Sequence, residues 1–369
     1  MIDFRVERAC KQYKARTGIL RMRGRDVPTP VFMPVGTYAA VKTLSPAELK
    51  QVGAEIILSN AYHLYLRPGG KIIRSLGGIH RFTGWDRGYL TDSGGFQIFS
   101  LSTSHVISPE GLRFRSHIDG SEHFLTPEDV VRIEEDIGAD IIMPLDIPTA
   151  IPSQYEEAKS AFLNTVAWAR RSKEEWERSK KRSTLFGIVQ GNVFKDLREQ
   201  CAEALLDIDF PGYAVGGLSV GEDKRTMYEI LDFTTDLLPC EKPRYLMGVG
   251  APSDILGAVR RGIDMFDSVL PTRNARNATV FVPGGKLLLR NAEYKEQRGP
   301  IQEGCGCYAC AHFSRAYIRH LFKTREILAY RLATIHNLYY LIGFVSRLRT
   351  AIATGRMEEF IEKFERGEL

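Results

Sequence analysis

The 369-residue sequence predicts a (β/α)8 TIM barrel, an α/β fold, with a zinc-binding subdomain inserted near the C-terminus. Three observations predict it. Eight short apolar runs alternate with helix-like segments, and strands buried on both faces of a parallel sheet read as such near-continuous hydrophobic stretches. Several of the runs end in acids, amides or glycines, at the rim where a barrel of this kind builds its active site. Beyond the last run, Cys305, Cys307 and Cys310 form a C-x-C-x2-C cluster. A doubly wound open sheet is the runner-up, but no G-x-G-x-x-G follows the first run.

Taken in order, the opening MIDFRVERACKQYK is polar and resembles no signal peptide. VFMPV (31–35) is the first strand. Ser45-Pro46 then starts a helix, with proline in the first turn, where its missing N–H is not needed. EIILS (55–59) and YLTDS (89–93) are the second and third strands. RFRSHIDGSEHFL (113–125) reads as a hairpin turning at Asp119-Gly120, an insertion near 105–125. Thr126-Pro127 starts the helix before strand DIIMPLD (140–146). Helical patterns over about 154–180, 193–206 and 223–237 separate TLFGIVQ (184–190), YAVGGL (213–218) and RYLMGVG (244–250). The run RRSKEEWERSKKR (170–182) alternates sign and reads as a solvated helix face. Ala251-Pro252-Ser253 starts the helix before the eighth strand, DMFDSVL (264–270). VFVPGGKLLLR (280–290), around Gly284-Gly285, opens a second insertion that runs into the cysteines. The expected division is a barrel body over 1–279, a zinc-binding subdomain with packing helices over 280–345, and a C-terminal helix over 346–369 that completes the barrel.

With 44% hydrophobic and 26% charged residues, the composition is that of an ordinary soluble globular chain. No apolar run approaches the roughly 18–20 residues of a membrane span. Cys10, Cys201 and Cys240 are scattered while the other three cluster, which favours a reducing cytosol and a metal site over a disulfide framework. A cytoplasmic protein with no membrane partner is therefore expected. Net charge is +5, but residues 260–331 hold thirteen Lys/Arg against six Asp/Glu, so a polyanion is expected to dock there.

The cysteine spacing suits one structural Zn2+ per subunit, held by four ligands with no open position. His312, His320 and His336 are candidates for the fourth ligand. His312 follows Cys310 too closely for easy wrapping, whereas His336 lies in the apolar stretch LATIHNLYYLIGF that can pack over the knuckle, so His336 is preferred. The next helix carries Arg315, Arg319 and Lys323 as one basic stripe, and its aromatics Phe313, Tyr317 and Tyr330 read as packing or subunit contact.

The strand ends bring Asp92-Ser93-Gly94-Gly95, Asp146, Gln190-Gly191, Gly216-Gly217-Leu218, Met247-Gly248 and Asp267 to one rim. In DMFDSVLPTRNAR (264–276) the carboxylate of Asp267 is followed by a turn at Pro271 and by Arg273 and Arg276. Arginine binds phosphate bidentately, and a carboxylate nearby attacks or stabilises an electron-poor sugar carbon, although an ion pair at a strand end has the same appearance. The inventory also suits a purine. Asp146 would accept from guanine N1 and the exocyclic amine, and Gln190 with the Gly217 N–H would donate to O6. Asp92 and Asp267 are then free for covalent and proton-transfer steps.

TDSGGFQ (91–97), GIVQG (187–191), VGGLSVGE (215–222), YLMGVG (245–250), FDSVLPTRNAR (266–276) and the Cys305…His336 set resemble the queuine/guanine tRNA-ribosyltransferase family, the bacterial tRNA-guanine transglycosylases. The resemblance spans nearly the whole chain. It implies a homodimer that exchanges guanine at the wobble position of tRNAs with a GUN anticodon for a 7-deazaguanine base. It further implies Asp267 as nucleophile at ribose C1′ and Asp92 as general base. Base contacts fall to Asp92, Ser93, Gly94, Gly95, Phe96, Asp146, Gln190, Gly217, Leu218 and Met247. RNA contacts fall to Gly248, Val249, Gly250, Ala251, Pro252, Ser253 and Asp254, and to Thr272, Arg273, Asn274, Ala275 and Arg276. The zinc ligands are Cys305, Cys307, Cys310 and His336, and the dimer contact involves Phe313, Tyr317, His320 and Leu332. The chain departs from the family at Ile147-Pro148, where many bacterial members read Glu-Cys, and at Phe96, Ser268 and Ala278. The bulky Val220 favours the compact 7-aminomethyl-7-deazaguanine, with queuine as the alternative base. A non-catalytic tRNA-binding subunit of the same fold should lack one of the two acids. A zinc-stabilised nucleoside hydrolase is the other alternative and would not need the basic C-terminal surface.

Overall fold

The computed structural model describes residues 2–102, 104–179 and 182–369. Lys180 and Lys181, part of the charged run at 170–182, lie outside them. Eight parallel strands form the frame: β1 (Val31–Pro34), β2 (Ile56–Asn60), β3 (Gly88–Asp92), β4 (Ile141–Ile142), β5 (Thr184–Leu185 and Gly187–Val189), β6 (Tyr213–Val215), β7 (Arg244–Leu246) and β8 (Met265–Ser268). One sheet runs from the first piece of β5 through β4 and β3 to β2, and the other from the second piece of β5 through β6, β7 and β8 to β1. Two seams join them. Strand β5 serves both sheets, since Phe186 N–H donates to Ile142 O and Gly187 N–H to Gly212 O. At the opposite seam Val35 bridges Leu58 in parallel register. The eight strands thus make a closed circuit, the (β/α)8 arrangement.

Side-chain alternation divides the apolar residues in two. Val31, Met33, Ile56, Leu58, Leu90, Ile141, Ile188, Ala214, Tyr245 and Met265 form an inner core. Phe32, Ile57, Tyr89, Ile142, Val189, Val215, Leu246 and Phe266 face the helices outside. The same parity turns Asn60, Asp92 and Asp267, at the C-terminal ends of β2, β3 and β8, toward the inside.

The N-terminal residues, read from sequence only as polar, form an antiparallel meander over Asp3–Ala9, Arg16–Met22 and Arg25–Thr29. Leu20, Met22 and Val27 join the inner core, so the meander closes the bottom of the ring. A side-chain carbon on Gly88 would stand 2.3 Å from Met22 Sδ, so glycine at the start of β3 leaves room for that methionine. Buried Arg16 grips Asp264 through both carboxylate oxygens at 2.9 and 2.6 Å, fastening the meander to the approach to β8.

The insertion is a three-stranded antiparallel sheet, His105–Ser108, Gly111–Arg115 and Glu122–Leu125, instead of the expected hairpin. Residues 105–107 are exposed, so the first strand has no apolar alternation to betray it. The strands predicted over 140–146, 213–218 and 244–250 are shorter than expected. Leu145 and Ile147 leave the ladder to pack under the insertion, and Gly217 and Gly248, at φ +64° and +78°, break the extended chain after β6 and β7. The long helices fall close to expectation, at Tyr155–Arg178, Lys195–Ile208 and Lys224–Leu237. Ser45 with Glu48 and Thr126 with Asp129 make reciprocal capping boxes at two of the three helices expected to start with proline, and the third, Pro252–Val259, has no side-chain cap.

After β8 come helix Leu270–Arg276, a hairpin of Thr279–Val282 and Gly285–Leu288, and helices Tyr308–His312, Arg315–Lys323, Ile327–Thr354 and Met357–Glu365. The division expected at 345–346 falls inside the 28-residue helix Ile327–Thr354, which is buried along one side for its whole length. Asn337 on it donates to Pro271 O and Thr279 O and accepts from Phe281 N–H, tying helix, loop and hairpin together. Among the described residues, no helix is long and apolar enough to cross a membrane.

Candidate active site and metal centre

A cavity of about 570 Å³ opens at the C-terminal ends of the strands. It brings together Asp92, Ser93, Gly94, Gly95, Phe96, Asp146, Gln190, Gly217, Leu218, Met247, Gly248, Asp267 and Arg273. Asp267 is buried in β8. Its Oδ1 accepts from the Tyr245 hydroxyl at 2.6 Å and from Gly248 N–H at 2.7 Å. Among the described residues, no other residue donates to its Oδ2, and no cation pairs with it. Arg276 Nη1 instead donates to Thr272 O in its own helix, and Arg273 is exposed at the cavity rim. Burial raises the Asp267 pKa, and the two donors on Oδ1 oppose that rise. One oxygen is held and the other left open.

Asp92 lies across the cavity on β3. Oδ2 accepts from Asn60 Nδ2 at 2.5 Å and from Gln97 Nε2 at 2.9 Å, and Oδ1 from the Ala61 N–H at 3.2 Å. Burial pushes its pKa up to about 7, and the charge of Asp267 adds to the rise against the pull of the Asn60 hydrogen bond. Two acids thus face one space in unlike surroundings, the pattern that separates nucleophile from proton carrier.

Asp146 forms the third acidic group. It accepts from Gln190 Nε2 at 2.7 Å and from Ser93 Oγ at 3.2 Å, and burial raises its pKa to about 6. A side chain on Gly95 would stand 2.7 Å from Asp146 O, and one on Gly216 2.6 Å from Gln190 Nε2, so glycine there leaves room for the acid and the amide. The Gln190–Asp146 pair presents an edge of acceptor and donor groups to the cavity.

Beneath Asp92, the wholly buried Glu134 accepts from Thr91 Oγ1 at 2.8 Å and from Met143 N–H at 3.2 Å, both on Oε1. Oε2 has no partner, and burial raises the pKa well above the ordinary carboxyl value. A raised carboxyl pKa stabilises the fold relative to the ionised group at low pH, and that contribution is lost as pH rises through the folded pKa. Glu134→Gln keeps the neutral shape. Its stability relative to the unaltered protein is therefore expected to improve by at least about 1 kcal/mol from pH 4 to pH 8, read from urea midpoints. An unchanged difference across that range would mean that Glu134 is not held neutral.

The segments expected to meet RNA are mixed in exposure. Gly248, Ser253 and Arg273 are exposed at the rim, and Gly250, Ala251 and Pro252 stand beside them. Val249 and Ala275 are buried in the outer core, and Thr272 is buried with its hydroxyl donating to Val269 O. Asp254 is ion-paired with Lys224 at 2.5 Å, and the Asn274 Nδ2 is buried without a partner.

The metal candidates converge. Ligand atoms of Cys305, Cys307, Cys310 and His336 all lie within 4.8 Å of one another. His336 Nδ1 is 3.8, 3.6 and 3.3 Å from the three sulfurs, close to the ~3.6 Å S-to-N edge expected of a tetrahedron with zinc at its centre. His336 Nε2 bonds to Phe281 O at 2.7 Å, which leaves Nδ1 as the ligand atom. His312 is exposed, with its ring 4.7 Å from that of Tyr308, and His320 is an exposed helix residue, so neither joins the cluster. Leu332 is buried in its own chain, so it makes no subunit contact.

Asn60, Gln97, Tyr245 and His63 also line the cavity and were not singled out from sequence. Parity was available for two of them: Asn60 continues Ile56 and Leu58, and Tyr245 precedes Met247 by two.

A closed parallel ring with unlike acids facing one cavity above its inner core is the construction of a barrel enzyme, and its relatives are transferases. Residues 10–368 match the family model described as Queuine tRNA-ribosyltransferase. The chain is 57% identical over 363 residues to the queuine tRNA-ribosyltransferase of Caldanaerobacter subterraneus subsp. tengcongensis, covering 98% of this chain and 96% of that one. The corresponding protein of Halothermothrix orenii is 53% identical over 353 residues, covering 96% and 94%. That of Desulforudis audaxviator is 51% identical over 363 residues, covering 98% and 97%. The chain belongs to the queuine tRNA-ribosyltransferase family.

Proposed function

We propose that the protein exchanges guanine at the wobble position of tRNAs with a GUN anticodon for 7-aminomethyl-7-deazaguanine, in queuosine biosynthesis. The observation that carries the reading is the asymmetric Asp267, with Oδ1 fixed by Tyr245 and Gly248 and Oδ2 open to the cavity. Oδ2 attacks ribose C1′ and forms an ester as the C1′–N9 bond breaks and its electron pair leaves with guanine. Asp92, near pH 7 in its titration, gives a proton to the departing base and later takes one from the incoming base, whose nitrogen displaces Asp267. Asp146, Gln190 and the backbone of Gly217 and Leu218 hold the purine edge, with Ser93 and Gly95 behind Asp146 and with Phe96 and Met247 against the ring. Gly248–Asp254 and Thr272–Arg276 flank the cavity where the RNA strand would enter.

Cys305, Cys307, Cys310 and His336 would hold one Zn2+ with no open position, a structural role. Exposed Tyr308 and Tyr317, linked through the Phe313 ring beside the knuckle, support a homodimer contact there. Both acids are present, which disfavours the non-catalytic subunit. The second reading, queuine as incoming base, is disfavoured by the bulky Val220, which lines the cavity.

Labelled guanine and unmodified GUN-anticodon tRNA are expected to give labelled RNA, and label that never enters RNA would end the transferase reading. In competition, 7-aminomethyl-7-deazaguanine should outcompete queuine. The pH–rate profile should bend near pH 7, and Asp92→Asn should lower exchange by about 10²–10⁴-fold and remove the bend. A bend retained in that variant would assign it to another group.

A further inference from the structure

Arg198 is a buried charge that the chemistry above does not use. It sits on helix Lys195–Ile208 with no exposed surface. Its Nε donates to Asn192 O at 2.8 Å and its Nη1 to Val189 O at 2.9 Å, so the guanidinium spans both ends of the turn that carries Gln190. The third nitrogen, Nη2, has no partner. It lies 3.7 Å from the point where a side chain on Gly217 would begin. Among the described residues, no carboxylate forms an ion pair with Arg198. Burial lowers its pKa only to about 10, so the charge persists at neutral pH.

Glu222 favours the charged form from beyond ion-pair contact, and a buried cation with no carboxylate in contact is costly to the fold unless something else uses its field. The turn that it clamps and the glycine that it faces are the two elements assigned to the guanine O6 edge. A purine leaving C1′ carries away the electron pair of the C1′–N9 bond, and that negative charge spreads over the ring to O6. We propose that Arg198 is a positioning residue whose unpaired positive charge, acting through the Gln190 turn and the Gly217 peptide, stabilises the departing purine anion. The inference rests on the transglycosylase reading. Glycine at 217 then has a reason beyond backbone shape, since a side chain there would begin 2.5 Å from Gln190 Oε1 and displace the amide held in the clamped turn.

The test is the first half-reaction, measured as base release from RNA carrying either guanine or 8-azaguanine at the exchanged position. The extra ring nitrogen of 8-azaguanine stabilises its anion, so its departure needs less help. Arg198→Met is expected to slow guanine release about 100-fold and 8-azaguanine release less than about 10-fold, with RNA affinity unchanged. Arg198→Lys, which keeps a charge but cannot span the turn, should fall between, and it reads the same split where the methionine variant does not fold. Equal losses for the two bases would make Arg198 a structural clamp only and overturn the proposal, as would no loss. Release of neither base by the unaltered protein overturns the transglycosylase reading itself, and the proposal with it. Failure of the Arg198 inference alone leaves the unaltered protein active.

Discussion

Asp267→Asn is expected to abolish the denaturant-resistant enzyme–RNA adduct and to reduce base exchange by at least about 10³-fold. Asparagine has nearly the same volume, and its Oδ1 can still accept from Tyr245 and Gly248, so the geometry of β7 and β8 should survive. What changes is the atom facing the cavity, where an amide nitrogen without nucleophilic character replaces Oδ2. The fold should not suffer, because a buried carboxylate whose pKa is raised by desolvation is replaced by a neutral group. Gel mobility of the denatured RNA complex reads the adduct, and thermal melting reads the fold. An adduct that persists in a well-folded Asp267→Asn protein would move the nucleophile to another residue.

The second large effect concerns the knuckle. Cys307→Ala is expected to drop bound metal from about one equivalent per chain to near none and to lower the melting temperature by roughly 5–10 °C. Cys307 is buried, and its sulfur also accepts from Cys310 N–H, so both a ligand and a helix cap are lost. The damage should reach RNA binding before chemistry. His336 shares its helix with Asn337, which holds Pro271 O at the start of the arginine-bearing helix. KM for tRNA is therefore expected to rise more than kcat falls. Less than half an equivalent of zinc in the gently purified, unaltered protein would undercut the site, and an equal fall in kcat would argue that the metal takes part in the chemistry.

Much of this was legible because it depends on local rules. Near-continuous apolar runs, proline-started helices and the cysteine spacing are short-range patterns, and β1–β8, the helix starts at Pro46, Pro127 and Pro252 and the three cysteines of the metal cluster follow from them. The elements that escaped depend on partners far away in sequence. The N-terminal meander reads as polar because most of its first strand faces solvent, and its hold on the ring rests on Leu20, Met22 and Val27, with Ile2 and Phe4 packed beside them. Glu134 and Arg198 look like ordinary helix charges until packing buries them. In the site, Asp92 and Asp267 were found by position at strand ends. Tyr245 was missed because its hydroxyl matters only once β7 lies beside β8.

The ring also has a consequence for how the chain is made. Strand β1 takes its neighbour from Met265–Ser268 and its outer cover from helix Ile327–Thr354, whose Arg349 reaches Pro30 O. A ribosome adding about 5–20 residues per second leaves β1 without those neighbours for on the order of ten seconds or more. During that interval one edge of the growing sheet stands unpaired and sticky. The sheet therefore stays open through most of synthesis, and residues 265–369 supply both the clasp and the cover. Loss of the C-terminal helices should be felt first in the yield of soluble protein from cells, ahead of any change in the chemistry of molecules that do fold.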